Sequence, residues 1–211
     1  MSGVFLYDYW RSSASYRVRI ALNLAGIAYE AVPVDLVAGD HTTPAHLARN
    51  PQGLVPVLDI DGHRFTQSLA ILEYLNDTRA LGLLPQDPVK AAKARALAQS
   101  IAVDLHSVCN LRVAKHAASL TPDNLDAVPN WMAQFIGPGL VAFEAMLGAF
   151  DPAPFCCGDS PSLADICLMP QLYNAHRWGV DLSGFPKIQR IEAACAAHPA
   201  FAAAHPDCVK P

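Results

Sequence analysis

A short loop near the start of the chain concentrates hydroxyl side chains. Ser12, Ser13 and Ser15 lie between a short apolar stretch and a segment with helical periodicity. Unpaired backbone N–H groups and the positive end of a helix dipole favour an anion at such a place, and hydroxyls add donors. The loop could therefore bind an anion, or its serines could simply cap the helix. No glycine-rich phosphate loop accompanies it, so a nucleotide is not expected.

Two further segments offer donors and acceptors to a ligand. The segment from Asn50 to Pro56 ends in a proline at the entry to a predicted strand, where a missing N–H is tolerated. A cis peptide at Val55–Pro56 would turn Val55 outward and leave its N–H and C=O for an extended ligand. Because most X–Pro bonds are trans, the sequence leaves the isomer open. Gln67 and Ser68 precede an apolar helix, where they could bind a carboxylate or only form a cap.

Charged side chains are few, so the partner of each arginine is of interest. The chain has 15 Lys and Arg against 19 Asp and Glu, and its first lysine is Lys90. Arg17 and Arg19 stand two apart in the predicted first helix and therefore point to different faces. We interpret both as structural residues that pair across the domain boundary.

Composition and charge exclude several classes of protein. A chain with 52% hydrophobic and 16% charged residues is not disordered. Its formal net charge of -4, without a basic stripe, excludes a nucleic-acid partner. There is no basic and apolar leader, and no uncharged apolar run near the ~20 residues of a membrane span, so we expect a soluble cytoplasmic protein.

Cysteine and histidine spacing predicts neither disulfides nor a metal site. The six cysteines are absent from the first 108 residues and form no C-x-x-C pair. We therefore expect reduced thiols that mostly fill the core. His41 and His46 are five residues apart, which places their rings on different faces of a helix and disfavours shared metal binding.

The first 80 residues predict the order β-α-β-α-β-β-α. Asp61-Gly62 is the clearest pattern, because this dipeptide between apolar runs favours a tight hairpin turn. Ser68 is expected to cap the helix after the hairpin. The other predicted elements are strands over residues 4–7 and 28–34, hairpin strands over 56–60 and 63–66, a helix over 15–25, and a short helix capped at Thr43-Pro44.

Beyond residue 81 the sequence predicts helices only. The prolines between Gly82 and Pro88 indicate a linker. Ser162 and Asp165 form a capping-box pattern, in which Asp165 is expected to be a buried cap rather than an acid catalyst. The predicted helices cover residues 90–118, 130–147, 163–178 and, as the last one, 186 to about 197.

The two halves predict the fold class α/β plus all-α, with an α/β domain over residues 1–81 and an all-helical domain over residues 88–211. Several stretches, in order, resemble the zeta class of the glutathione transferases, which includes maleylacetoacetate and maleylpyruvate isomerases. The resemblance covers nearly the whole chain. The matching stretches are Tyr9 to Leu22, Asn50 to Gln52, Val55-Pro56, Gln67 to Ile71, Asn110 to Val113, Leu163 to Asp165, Pro170-Gln171 and Arg177 to Leu182.

The resemblance implies a glutathione transferase fold, in which a thioredoxin-like glutathione domain precedes a helical domain that shapes the substrate pocket. It also implies a homodimer and glutathione as the cofactor. By similarity, the thiol of glutathione would lie at Ser12, Ser13 and Ala14, its peptide backbone at Val55, its γ-glutamyl end at Gln67 and Ser68, and its glycyl end at His41 and Gln52, with Asp104 and His106 near the thiol and the substrate.

The activity implied by the resemblance is glutathione-dependent cis–trans isomerisation of maleylacetoacetate or maleylpyruvate in aromatic catabolism. A transferase that conjugates or dehalogenates small electrophiles is the alternative. A binding module with a decayed thiol site is a third hypothesis, which the retained ligand donors argue against. In the isomerase Ser12, Ser13 and Arg11 would be catalytic, and Arg11, Asn110, Arg112 and Arg177 would bind a small dicarboxylate substrate.

One residue departs from the pattern of the class. The class usually has Ser-Ser-Cys-Ser in the loop, and this chain has Ala14 at the cysteine position. The resemblance therefore does not carry over to this chain a mechanism in which that cysteine is an obligatory nucleophile. A glutathione thiolate does not need it, because hydroxyl donors and a helix N-terminus favour thiolate over thiol. Of the two serines, Ser12 is the first candidate and Ser13 the second.

Overall fold

The computed structural model describes residues 3–211, which form two compact units. Residues 3–82 and 197–211 form unit 1, and residues 83–196 form unit 2. The sequence placed residues 197–211 in the helical domain, and the structure differs at this point. The helix Pro199–Ala204 packs on the first helix of the chain, Ser13–Leu24, so the end of the chain belongs to unit 1.

Unit 1 is built on a mixed sheet of β1 (Phe5–Asp8), β2 (Glu30–Pro33), β3 (Val57–Ile60) and β4 (His63–Thr66). The strand order is β2-β1-β3-β4, with β1 parallel to β2 and the other pairs antiparallel. The predicted hairpin turn is confirmed, since Asp61 and Gly62 have the positive φ values, 54° and 79°, that it needs. The helices of unit 1 are α1 (Ser13–Leu24), α2 (Pro44–Leu47), α3 (Ser68–Arg79), α10 (Pro199–Ala204) and α11 (Pro206–Val209).

Polar residues mark the starts of these helices. Ser12 caps α1, which begins at Ser13 rather than at the predicted residue 15. Thr43 caps α2 as predicted. The prediction that Ser68 caps α3 was wrong, because Gln67 precedes the helix with a left-handed φ of 67° and Ser68 is already helical. The chain therefore turns one residue earlier, and the hydroxyl of Ser68 is buried.

Unit 2 is built from helices. These are α4 (Pro88–Gln99), α5 (His106–Val108), α6 (Leu111–Ser119), α7 (Ala127–Met146), α8 (Leu163–Arg177) and α9 (Pro186–Ala197). The single helix predicted over residues 90–118 is interrupted, because a π-helical turn, Ser100–Leu105, follows α4 and Asn110 caps a new helix. Helix α9 begins as predicted but is not the last, since α10 and α11 follow it.

Asp165 fixes the start of α8 inside unit 2. It is fully buried, and its carboxylate accepts hydrogen bonds from the N–H groups of Cys156 and Ser162, both at 2.8 Å. The hydroxyl of Ser162 donates to it at 2.6 Å. Burial raises the pKa of this carboxyl group. The predicted capping box is confirmed, and Asp165 is a buried cap.

The cysteines are free thiols, and four of the six are buried, as expected for core residues. Burial raises the pKa of Cys109 and that of Cys157 to about 11, which keeps both thiols protonated at neutral pH. Cys208 is exposed in α11. Residues 3–211 contain no cluster of three or more His, Cys, Asp and Glu side chains that could hold a metal ion.

Helix α7 is apolar and only partly buried. With the 3₁₀ turn after it, it covers residues 127–149, and by length and composition alone this stretch could cross a membrane. The sequence predicted no such segment, because Glu144 interrupts the uncharged run. Only 28% of its most apolar 18 residues are buried, and Val141 is 58% exposed. An exposed apolar face of this kind is typical of an interaction surface.

Candidate active site

The hydroxyl of Ser12 is oriented by the helix that it caps. Its Oγ accepts a hydrogen bond from the N–H of Ser15 at 3.3 Å, so its own proton remains for a ligand. Ser13 is the first residue of α1, and both serines are half-buried. The first-turn N–H groups of α1 and its dipole favour an anion at the same place. This end of α1 can therefore hold a thiolate.

Arg11 lies beside this loop on an aromatic support. Its guanidinium carbon is 5.1 Å from the centroid of the Trp10 ring, and its Nη2 donates to the hydroxyl of Tyr9 at 3.3 Å. The ammonium of Lys210 is 5.3 Å from the same Trp10 ring. No carboxylate among residues 3–211 forms an ion pair with Arg11. The structure thus places a cation that can receive an anionic substrate next to Ser12.

The peptide bond between Val55 and Pro56 is cis, an isomer that the sequence left open. Val55 is buried, and its N–H and C=O form no backbone hydrogen bond with any residue from 3 to 211. The neighbouring carbonyl of Leu54 is held by His46 Nε2 at 3.0 Å and by Asn50 Nδ2 at 2.9 Å. Because these backbone groups lack a backbone partner among the described residues, Val55 suits the main chain of an extended ligand.

Gln52 and Gln67 are in contact in unit 1, and the loop that carries Gln52 passes the main chain of His41. Gln67 Nε2 donates to Gln52 Oε1 at 2.8 Å. Gly53 has a φ of 62°, and a Cβ atom there would come within 3.2 Å of the carbonyl of His41, so the loop requires glycine. Nδ1 of His41 is buried without a hydrogen-bond partner among the described residues. Two of the predicted glutathione residues, Gln52 and Gln67, are thus in direct contact, and the main chain of His41 lies beside the same loop.

Arg19 connects the thiol loop to the rest of unit 1. Its Nη1 donates to both carboxylate oxygens of Asp8, at 2.7 and 2.9 Å, and forms a buried ion pair. It also donates to the carbonyl of Trp10 at 2.9 Å and to that of Ala204 at 3.1 Å. The prediction that Arg19 pairs across the domain boundary was wrong, because the C-terminal helix that it contacts belongs to unit 1.

Arg17 contacts a residue of the predicted site directly. Its Nη1 donates to the Oγ of Ser68 at 3.0 Å, and both side chains are buried. The sequence interpretation treated Arg17 and Arg19 as structural only and missed these contacts. The sequence did offer one indication of such contacts: two arginines stand two residues apart in a helix rich in apolar residues. A buried arginine must have polar partners.

In unit 2 the predicted residues follow one another from the π-helical turn to α6. Asp104 is exposed in that turn, and His106 begins α5 and is half-buried. Asn110 caps α6, because its Oδ1 accepts from the N–H of Val113 at 3.0 Å and its Nδ2 donates to the carbonyl of Ser107. Its amide is thus committed to the helix start, and substrate binding by Asn110 stays a prediction.

Arg112 and Arg177 place guanidinium groups at the ends of two helices. Arg112 is exposed in the first turn of α6 and forms no ion pair with the described residues. A cation at this end of a helix opposes the helix dipole. Arg177 ends α8, with its guanidinium carbon 4.9 Å from the centroid of the Trp178 ring. Because Arg112 weakens its own helix, its position indicates a role other than stability.

The first part of the chain matches a known protein family. Residues 2–77 match the family model of the glutathione S-transferase N-terminal domain. Over 207 residues the chain is 58% identical to the maleylacetoacetate isomerase of Rhizobium meliloti (strain 1021), with 98% of this chain and 97% of the relative covered. The similarity therefore extends through both units.

Solved structures share the fold over nearly the full length. A maleyl pyruvate isomerase, a bacterial glutathione S-transferase of the zeta class, matches with a TM-score of 0.94 and 38% identity, with 98% of both chains covered. The maleylacetoacetate isomerase of Anaeromyxobacter dehalogenans 2CP-1, solved with dicarboxyethyl glutathione and citrate bound, matches with a TM-score of 0.87 and 41% identity, covering 99% of this chain and 96% of that one. The predicted thioredoxin-like and helical architecture is confirmed.

Proposed function

Because the chain belongs to the zeta class of the glutathione transferases, we propose that it is a glutathione-dependent isomerase that converts the cis double bond of maleylacetoacetate or maleylpyruvate to trans in aromatic catabolism. The observation that carries this proposal is the high identity to a maleylacetoacetate isomerase over nearly the whole chain. The residue types of each unit agree with this activity. Unit 1 offers donors for a thiol peptide, and unit 2, taken by itself, offers guanidinium groups for carboxylates.

The residues of unit 1 fit glutathione. The N–H and C=O of Val55 have no backbone partner among the described residues and are available to the main chain of glutathione. Ser68 and the N-terminus of α3 suit its γ-glutamyl carboxylate. When bound, glutathione supplies a thiolate that adds to the double bond, leaves a single bond that can rotate, and departs as the trans product forms. The hydroxyl of Ser12 donates a hydrogen bond to the sulfur and thereby favours the thiolate.

The arginines bind the substrate and stabilise its developing charge. During addition, negative charge moves on to the conjugated carbonyl group, so fixed cationic donors nearby lower the barrier. Arg11, adjacent to Ser12, is placed for this role. Arg112 and Arg177 bind carboxylates, because a guanidinium group matches a carboxylate with two parallel hydrogen bonds.

The proposal predicts that isomerisation requires glutathione. The ultraviolet absorbance of the cis substrate is followed with and without glutathione, and we expect turnover only when it is present. Without a nucleophile, rotation would have to break the π bond. Turnover that persists at the same rate without glutathione would contradict the mechanism. A comparison of kcat/KM for maleylacetoacetate and maleylpyruvate then identifies the substrate.

A homodimer is the proposed assembly, and the exposed apolar face of α7 supports it. Val141 in α7 is 58% exposed, and Val103 in the π-helical turn packed with α7 is 51% exposed. The same face of a second copy would cover them. We expect sedimentation to give twice the chain mass of 22.6 kDa and Val141→Asp to shift it to the monomer. Val37→Asp is the control, since Val37 is comparably exposed in unit 1, and this variant should keep the mass of the dimer. A wild type that sediments as a monomer would contradict the assembly.

The cytoplasm is the proposed location. The cysteines of the described residues are unpaired, and thiols stay reduced where glutathione is maintained in its reduced form. The proposed reaction requires the same reduced glutathione. Cell fractionation beside a cytoplasmic marker tests the location, and recovery with the membranes would contradict it.

A further inference from the structure

We propose that the two buried arginines of α1 position opposite ends of the glutathione site. Arg19 holds the loop that binds the thiol, and Arg17 holds the hydroxyl of Ser68, which receives the γ-glutamyl carboxylate. The inference rests on the proposed function and deepens it. It adds two positioning residues, which hold the groups that contact glutathione.

Arg19 fixes the thiol loop through contacts in the interior of unit 1. Its side chain is 1% exposed, and its guanidinium group is anchored by Asp8 at the end of β1. From there Nη2 donates to the carbonyl of Trp10, while Nε donates to the carbonyl of Ala204 in α10. The Trp10 carbonyl lies two residues before Ser12, so the direction of the loop at Ser12 depends on this hydrogen bond.

Arg17 orients the hydroxyl of Ser68. Arg17 is 2% exposed, and the Oγ of Ser68 accepts a hydrogen bond from it. A hydroxyl that accepts from a guanidinium group directs its own proton elsewhere, so Ser68 is prepared to donate to a ligand. The charge of Arg17 also adds to the positive dipole end of α3. This end of α3 therefore favours a carboxylate.

Helix α1 separates the two tasks geometrically. Residues two apart are about 160° apart around a helix, so Arg17 and Arg19 leave it on different faces. Helix α1 packs against α3, where Arg17 donates to Ser68, and against α10, where Arg19 donates to the carbonyl of Ala204. A change at one arginine is therefore expected to affect one end of glutathione and to spare the other.

The test compares Arg17→Lys with Arg19→Lys, and each variant is the matched control for the other. Both keep a buried positive charge on the same helix and lose the planar set of donors. The first readout is KM for glutathione and for 4-aminobutyryl-cysteinyl-glycine, which lacks only the α-carboxylate of the γ-glutamyl residue. The second is the pH titration of the ultraviolet absorbance of the bound thiolate.

The two variants are expected to change different readouts. For Arg17→Lys, KM for glutathione rises about tenfold, as for the loss of one charge-assisted hydrogen bond, while KM for the analogue and the thiolate titration stay unchanged. For Arg19→Lys, the thiolate titration moves up by about one pH unit and kcat falls, while the ratio of the two KM values stays at its wild-type value.

Equal changes of both readouts in both variants would show a general loosening of α1 and would overturn the inference. Wild-type protein that is folded but does not bind glutathione in calorimetry would contradict the proposed function as well. Calorimetry of the wild type with glutathione therefore distinguishes failure of the inference from failure of the proposed function.

Two further variants keep the inference falsifiable if a single substitution prevents folding. Asp8→Asn/Arg19→Gln removes both charges of the buried pair and leaves no unpaired charge, and it should show the same upward thiolate titration. In a Ser68→Ala background, Arg17→Lys, which keeps the charge, should raise KM for glutathione no further, because the lost hydrogen bond acts through Ser68. An unchanged thiolate titration in Asp8→Asn/Arg19→Gln would overturn the role of Arg19. A further rise in KM for glutathione in the Ser68→Ala background would overturn the role of Arg17.

Discussion

Ser12→Ala is expected to lower kcat/KM for isomerisation about 100-fold, the loss typical of removing one preorganised hydrogen-bond donor. The structure distinguishes Ser12 from Ser13, because the N–H of Ser15 orients the Ser12 hydroxyl. The pH titration of the bound thiol should move upward in the same variant, since the thiolate loses a donor. Steady-state kinetics and the ultraviolet titration measure the two effects.

Ser13→Ala is the matched control and should lose much less activity. Because Ser12 also caps α1, its removal costs ~1 kcal/mol of stability, which thermal unfolding measures separately. Ser12→Thr keeps both the hydroxyl and the cap and should retain most of the activity. A larger loss in Ser13→Ala than in Ser12→Ala would show that Ser13 holds the thiol.

Arg112→Ala is expected to lower kcat/KM for isomerisation about 100-fold through the loss of a two-pronged carboxylate contact. The same change should leave the protein as stable or more stable by about 0.3–1 kcal/mol, because the cation opposes the dipole of α6. A loss of activity without a loss of stability is the pattern of a substrate-binding residue. Kinetics and thermal unfolding of the same samples check it.

Lys115→Ala is the control, since it also removes an exposed cation from α6 and should leave the activity unchanged. Arg177→Ala is expected to resemble Arg112→Ala in kinetics, with KM for glutathione near the wild-type value. If both arginine variants keep full isomerase activity while a halogenated acid is consumed efficiently, the protein is a conjugating or dehalogenating transferase instead.

Local patterns predicted the parts of the fold that depend on a few consecutive residues. The Asp61-Gly62 turn, the Thr43 cap and the capping box of Ser162 and Asp165 are all present. Each is stabilised by contacts within four residues, so the residue types suffice to predict it. The break of the predicted helix at Asn110 was missed, because an Ala-rich helical period continues on both sides of it.

Contacts between distant residues could not be predicted in the same way. Arg19 and Ala204 are separated by 185 residues, and this contact helps to place the C-terminal helix in unit 1. Periodicity shows that a position is buried, but it does not show what the position meets. For this reason Arg17 was not connected to Ser68 from the sequence.

The sequence by itself determined the chemistry that is available: serines at a helix start, few cations, and no cysteine in the thiol loop, where Ala14 stands. It also determined the family, because the stretches that resemble the zeta class follow one another in order along nearly the whole chain. Only the tertiary structure decided which groups are oriented. The hydroxyls of Ser12 and Ser68 each accept a hydrogen bond and keep a proton to donate, and that direction is set by packed neighbours rather than by residue type.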